Sequence, residues 1–233
     1  MKESFNDNVE CLVPKSMSGT RCSANADAVK SLVMGYSNII NALQTISNNQ
    51  HQKPASRTEA NNLREAMQTL EIGIMSEIWH DVLQPFNKCS KRLQSSDIDL
   101  CTAVSLMKSL QTVLDVMRDN FDTFEAKGIA RTGNQDYKLS LRRKRQKTCD
   151  DATAHTFSPK EAYRINTYVT IIDKLQHALM HRIAAYTDIN NIFSFLANVS
   201  VSDNMSLSEP EVSENINRLC KAYPEDFTAD FTA

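Results

Sequence analysis

Apolar residues in this chain return every three or four positions, segment after segment, and nowhere alternate with polar ones for long enough to build a convincing strand. Side chains gathered on one face of successive helices can be buried only by packing helix on helix. Ala28, Leu32, Tyr36, Ile39, Ile40, Leu43 and Ile46 form the first stripe, which polar residues and Pro54 end. Ser56 and Glu59 then stand at capping-box spacing, ahead of Leu63, Met67, Leu70, Ile74, Ile78, Val82, Phe86 and Leu93. Pro85 falls inside that stripe and predicts a kink or a split, because it removes a backbone donor; Gly73 is a lesser weakness.

Ser96 and Asp99 mark a third start. Ala103, Leu106, Met107, Leu110, Val113, Leu114, Met117, Phe121 and Phe124 follow over nearly seven turns, and Gly128 and Gly133 bracket the stop. The strongest local signal is Ser158-Pro159-Lys160-Glu161, with an N-cap, a proline at the first helical position and a glutamate three residues after the cap. Ile165, Val169, Ile172, Leu175, Leu179, Ile183, Tyr186, Phe193 and Leu196 continue it for about 40 residues, close to 60 Å. A short last helix opens at Ser208 and ends near Tyr223-Pro224.

The sequence therefore predicts an all-α bundle of four long amphipathic helices plus one or two short ones. Residues 1–20 read as a poorly ordered lead-in, 21–127 as a first helical part and 128–157 as a basic mobile loop. Residues 158–223 carry the long helix and a short C-terminal one, and 224–233 read as a tail. At 233 residues the chain can bury about 70% of its unfolded surface. No apolar run approaches the ~20 residues of a membrane span, and the N-terminus lacks the apolar core of a signal peptide. An intracellular protein is expected. A net charge of −2 gives no global pull toward nucleic acid, so any such attraction must be local. Six cysteines without a Cys-x-x-Cys pair suit free thiols in a reducing compartment.

Lys138, Arg142, Arg143, Lys144, Arg145 and Lys147 make a run of six cations without an acid. Near a duplex it could neutralise phosphates and release counterions, giving salt-dependent, sequence-blind binding. It equally suits a nuclear-import signal or a solvated loop. Asp150-Asp151 follows the run and balances it. His177 and His181 project from one side of a helix, but Ala178 stands where a zinc protease has glutamate and no third ligand is evident. A surface or packing role is the expectation, and no metal or cofactor is expected. Asp97 and Asp99 fit helix capping, and Trp79 fits a core or interface anchor. There is no nucleophile elbow, phosphate-binding glycine loop or redox pair.

Residues 79–104 carry a more specific signal: Trp79 with Asp81, Leu93-Gln94-Ser95, Asp97, Asp99-Leu100 and Ala103-Val104. Together with Thr20-Arg21, Ala26-Asp27-Ala28-Val29-Lys30, Arg164-Ile165-Asn166, Ile171-Ile172-Asp173 and Tyr223-Pro224-Glu225-Asp226, they resemble the helical region of hAT-type DNA transposases. The resemblance is to the zinc-finger MYM-type and DUF4371-like group of host proteins derived from them. It implies a helical insertion whose parent RNase H-like domain holds the catalytic acids outside this stretch, and hence a non-catalytic, nuclear scaffold. Cys22 stands where that family has a tryptophan, so stacking on a base is not expected there; Arg21 remains a candidate phosphate contact. The expected partners are DNA, through Arg21 and the basic run, the import machinery, or another helical protein, and no membrane. The rival reading is a helical protein-interaction module without a nucleic-acid role.

Overall fold

The computed structural model describes residues 22–138, 157–201 and 209–226, and among them every regular element is helical. In chain order these are α1 (Cys22–Met34), α2 (Tyr36–Asn48), α3 (Pro54–Met67), α4 (Leu70–Leu93), α5 (Leu100–Asp119), α6 (Phe121–Thr132) and α7 (Pro159–Tyr163). A π-helical segment (Arg164–Val169) leads from α7 into α8 (Thr170–Val201), and α9 (Glu209–Ala222) follows. The all-α architecture is as the periodicity predicts. The lead-in at 1–20 lies outside the described residues.

The helix boundaries differ from the sequence reading in a consistent way. The first stripe is cut at Gly35, the second at Gln68–Thr69 and the third at Asn120. An interruption of one or two residues scarcely shifts the phase of a stripe, so apolar spacing alone joins helices that the backbone separates. Ser56 is not a cap: α3 begins at Pro54, whose missing N–H costs nothing in a first turn. Pro85, by contrast, sits inside an unbroken α4. That helix has neighbours along its length, and their packing offsets one lost hydrogen bond.

The stop bracketed by Gly128 and Gly133 falls at the later glycine. α6 runs through Gly128 to Thr132 and ends at Gly133, whose φ of 70° is the left-handed cap conformation, its N–H donating to the Ile129 carbonyl at 2.8 Å. The loop read from residue 128 therefore begins five residues later. Gly73 and Gly128 are where α4 and α6 cross. A Cβ on Gly128 would lie 2.8 Å from the Ile74 nitrogen, and one on Gly73 2.9 Å from the Gly128 carbonyl oxygen. Only glycine lets the two backbones approach so closely.

α4 is the central helix. α1 runs antiparallel along it, with Gln84 meeting the Ala26 carbonyl at 3.4 Å, and α6 lies antiparallel on another side. α5 pairs antiparallel with α8, tied by Arg118 to Asp173 (2.7 Å) and Gln176 to Asp115 (2.6 Å). Between them lies one core of Leu70, Ile74, Ile78, Val82, Met107, Leu110, Leu114, Phe121, Tyr168 and Ile172. Trp79 packs half-buried against it, the anchor role its place beside the stripe suggests. Three stripe residues stay outside: Leu63 is 51% exposed, Ile165 45% and Tyr186 39%. α2 and α3 form a hairpin clipped at its base by Tyr36, which donates to the Met67 carbonyl at 2.5 Å. α9 packs against α8, Leu219 is buried, and Tyr223 just beyond α9 meets the Phe193 ring at 5.7 Å. Among the described residues α5 alone is long and apolar enough to cross a bilayer by length and composition; here its apolar face is core.

Candidate nucleic-acid interface

The described chain that precedes the basic run after α6 (the outgoing stem) and the chain that follows it into α7 (the returning stem) meet at one carboxylate. Glu125 of α6 accepts from the Tyr137 hydroxyl at 2.6 Å on one oxygen and from the Lys160 ammonium at 2.5 Å on the other. Asp122, one turn earlier, takes a second bond from Lys160 at 3.0 Å. Glu71, in the first turn of α4, accepts from the Lys138 backbone N–H at 2.5 Å, and its own carbonyl accepts from the Tyr163 hydroxyl at 3.1 Å. The outgoing stem is thus held by Glu125 and Glu71, and the returning stem by Glu125 and Asp122.

Local sequence explains why these groups converge. The capping box at Ser158 is formed, with the Ser158 oxygen accepting from the Glu161 N–H at 3.2 Å and Glu161 accepting from the Ser158 N–H at 2.9 Å. That fixes the start of α7 and places Lys160 over α6. In the π-helical segment i→i+5 hydrogen bonding stacks residues five apart, whereas an α-helix would turn them about 140° away from each other. Tyr163 and Tyr168 therefore share one side, and both reach Phe121, at 6.3 Å and 5.1 Å between ring centres. Tyr137 meets Tyr163 at 5.6 Å between ring centres, the planes tilted by 46°, extending the aromatic row to the outgoing stem. The Tyr168 hydroxyl, fully buried, donates to the Met117 carbonyl.

The electrostatics follow this packing. Burial, then the bond to Glu125, pushes the Tyr137 hydroxyl far up from its ordinary value. Burial and the neighbouring Glu71 do the same to Tyr163. Tyr168 is pushed up to about 12, mainly by burial, with Asp119 adding to it. The bonds that Lys160 donates to Glu125 and Asp122 raise it. Glu125, Asp122 and Glu71 are thereby engaged by the two stems.

Of the residues the sequence singles out for phosphate contact, Lys138 is described: its side chain is exposed while its backbone is anchored to Glu71. Arg21, Arg142, Arg143, Lys144, Arg145 and Lys147 lie outside the described residues, as do Asp150 and Asp151. Ala26, early in α1, meets Gln84, while Lys138 meets Glu71. These contacts are 13 residues apart on α4, or about 20 Å at 1.5 Å per residue. The start of α1 and the stem of the basic loop are therefore not brought together. Cys22 opens α1 as a half-buried free thiol.

The other sequence candidates resolve individually. Asp99 caps α5, accepting from the Thr102 N–H at 2.7 Å and hydroxyl at 2.6 Å, and these bonds hold its carboxyl below the usual range. Asp97 bonds Ser95 and Arg92, which lower it likewise. His177 and His181 are exposed on α8.

A second polar cluster had no signal in the sequence. Glu77, whose side chain is 8% exposed, pairs with Arg131, whose Nη1 also donates to the Val33 carbonyl at 2.6 Å and whose guanidinium lies over the Tyr36 ring. Lys127 bonds Asp81 at 2.8 Å beside it. With Ser37 and Ala130, the residues Glu77, Lys127 and Arg131 line an open cleft of about 430 Å³. Its cations already carry carboxylate partners, so it offers little net charge to a ligand. No family model, no curated protein and no solved structure matches this chain.

Proposed function

We propose that this chain is a non-catalytic helical scaffold of a hAT transposase-derived nuclear protein, and that it presents a basic loop to the phosphates of DNA. The observation that carries the reading is Glu125, which ties Tyr137, before the basic run, and Lys160, after it, to α6. Anchored stems reduce the freedom that phosphate contact must remove, a cost that grows with the length of an untethered segment. The best-buried acid, Glu77, is paired with Arg131, and Asp81 and Glu125 are bonded to lysines. These carboxylates serve structure, in keeping with a scaffold.

The expected behaviour is duplex binding that ignores sequence and weakens steeply with salt. Titrating the chain against two duplexes of unrelated sequence tests this: equal affinities that fall together with salt support it. No binding at low salt would overturn it.

A second reading, a helical protein-interaction module, is favoured by the α2–α3 hairpin. Leu63 lies 51% exposed there, and Ile39, Ile40 and Leu43 are only half-buried. Such a surface suits a partner helix. Failure to bind DNA, with binding of another protein abolished by Leu63→Glu, would establish it instead.

A further inference from the structure

His177 and His181 stand one turn apart on α8, four residues being the spacing at which side chains of a helix face each other at about 5–6 Å between Cβ atoms. Both imidazoles are exposed, and neither has a hydrogen-bond or ion-pair partner among the described residues. Their rotamers are therefore free to converge. Ala178, Ala184 and Ala185 are exposed around them, and these short side chains leave room for a hydrated ion. The nearest acid one turn earlier, Asp173, is occupied by Arg118 through bonds of 2.7 and 3.4 Å. Lys174 and Arg182 flank the pair; their charge weakens cation binding without blocking the geometry.

We propose that His177 and His181 form a bidentate surface site for a borderline divalent cation of the nickel, copper or zinc kind. Two neutral imidazole nitrogens at about 2.0–2.1 Å are what such ions accept, and hard cations such as magnesium disfavour them. The described residues supply no third ligand, since no group of three His, Cys, Asp or Glu side chains converges among them. The remaining positions fall to water or to a donor carried by another molecule. The site is thus a weak one, suited to bridging rather than to holding a structural metal.

The test is a calorimetric titration of the full chain with nickel chloride, its thiols alkylated beforehand so that cysteines do not compete. Wild type, His177→Ala, His181→Ala and the register variant Ala178→His/His181→Ala are compared, with His51→Ala as an unrelated control and circular dichroism to confirm that each is folded. Saturable binding of one ion per chain, lost in both single variants and in the register variant but kept in His51→Ala, is expected. The register variant keeps two histidines but turns them about 100° apart, so it separates chelation from imidazole content. Wild-type affinity in either single variant or in the register variant would overturn the site.

Discussion

At Gly128 a single missing Cβ decides how closely two helices approach. Alanine would add about 1 kcal/mol of helix propensity there, but its Cβ would stand 2.6 Å from an Ile74 side-chain carbon and 2.8 Å from the Ile74 nitrogen. Moving a backbone costs more than propensity returns, so Gly128→Ala is expected to lower stability by about 1–3 kcal/mol. A denaturant midpoint that rises in this variant would contradict the crossing. The buried Glu77–Arg131 pair gives a second residue-scale prediction. Arg131→Met leaves Glu77 unpaired and is expected to cost about 3–5 kcal/mol, whereas Glu77→Leu/Arg131→Met recovers most of the loss. Equal losses in single and double variants would mean that the pair is not what holds α4, α6 and α1 together. Neither feature was legible in the sequence. Gly128 reads as one edge of a stop until its neighbour on α4 is known, and Glu77 and Arg131 are 54 residues apart.

Single elements were read well where their signals are local. The Asp99 cap and the Ser158 capping box are both formed, because each needs only residues three positions away. Breaks at Gly35, Thr69 and Asn120 escaped the reading because the apolar phase survives them, and the π-helical segment leaves no trace in composition. At Pro85 the split is excluded, because packing on several sides keeps α4 continuous through it. The caps carry a pH signature. Hydrogen bonds hold Asp99 and Glu161 below their ordinary values. A depressed folded value means that their stabilisation is present above the unfolded carboxylate pKa of about 4 and fades as pH falls through the folded value. Asp99→Ala should therefore melt below wild type at neutral pH, with the gap closing under acid. A gap independent of pH would show that the cap acts without its charge.

For the molecule as a whole, the aromatic row from Tyr137 to Tyr168 joins the loop stems to the core, and the acids beneath it join both stems to each other. Tyr137, Tyr163 and Tyr168 are all raised by burial. Their contribution is whole below the unfolded tyrosine value of about 10 and is lost as pH climbs toward the folded values. Stability should fall above pH of about 10, and Tyr137→Phe should blunt that fall; an unchanged alkaline limb would place the sensitivity elsewhere. The helical class of the fold was legible because one period runs through most of the chain. The stem anchorage was not, because Glu71, Glu125, Tyr137 and Lys160 are unremarkable until folding brings them together. The basic run was legible by its charge alone. Its role is tested most directly by the slope of log affinity against log salt on a mixed-sequence duplex, measured for wild type and for the variant with Arg142, Arg143, Lys144 and Arg145 replaced by alanine. A slope shallower by about 3–4 is expected in the variant, one phosphate released per lost cation. An identical slope in the two proteins would contradict it.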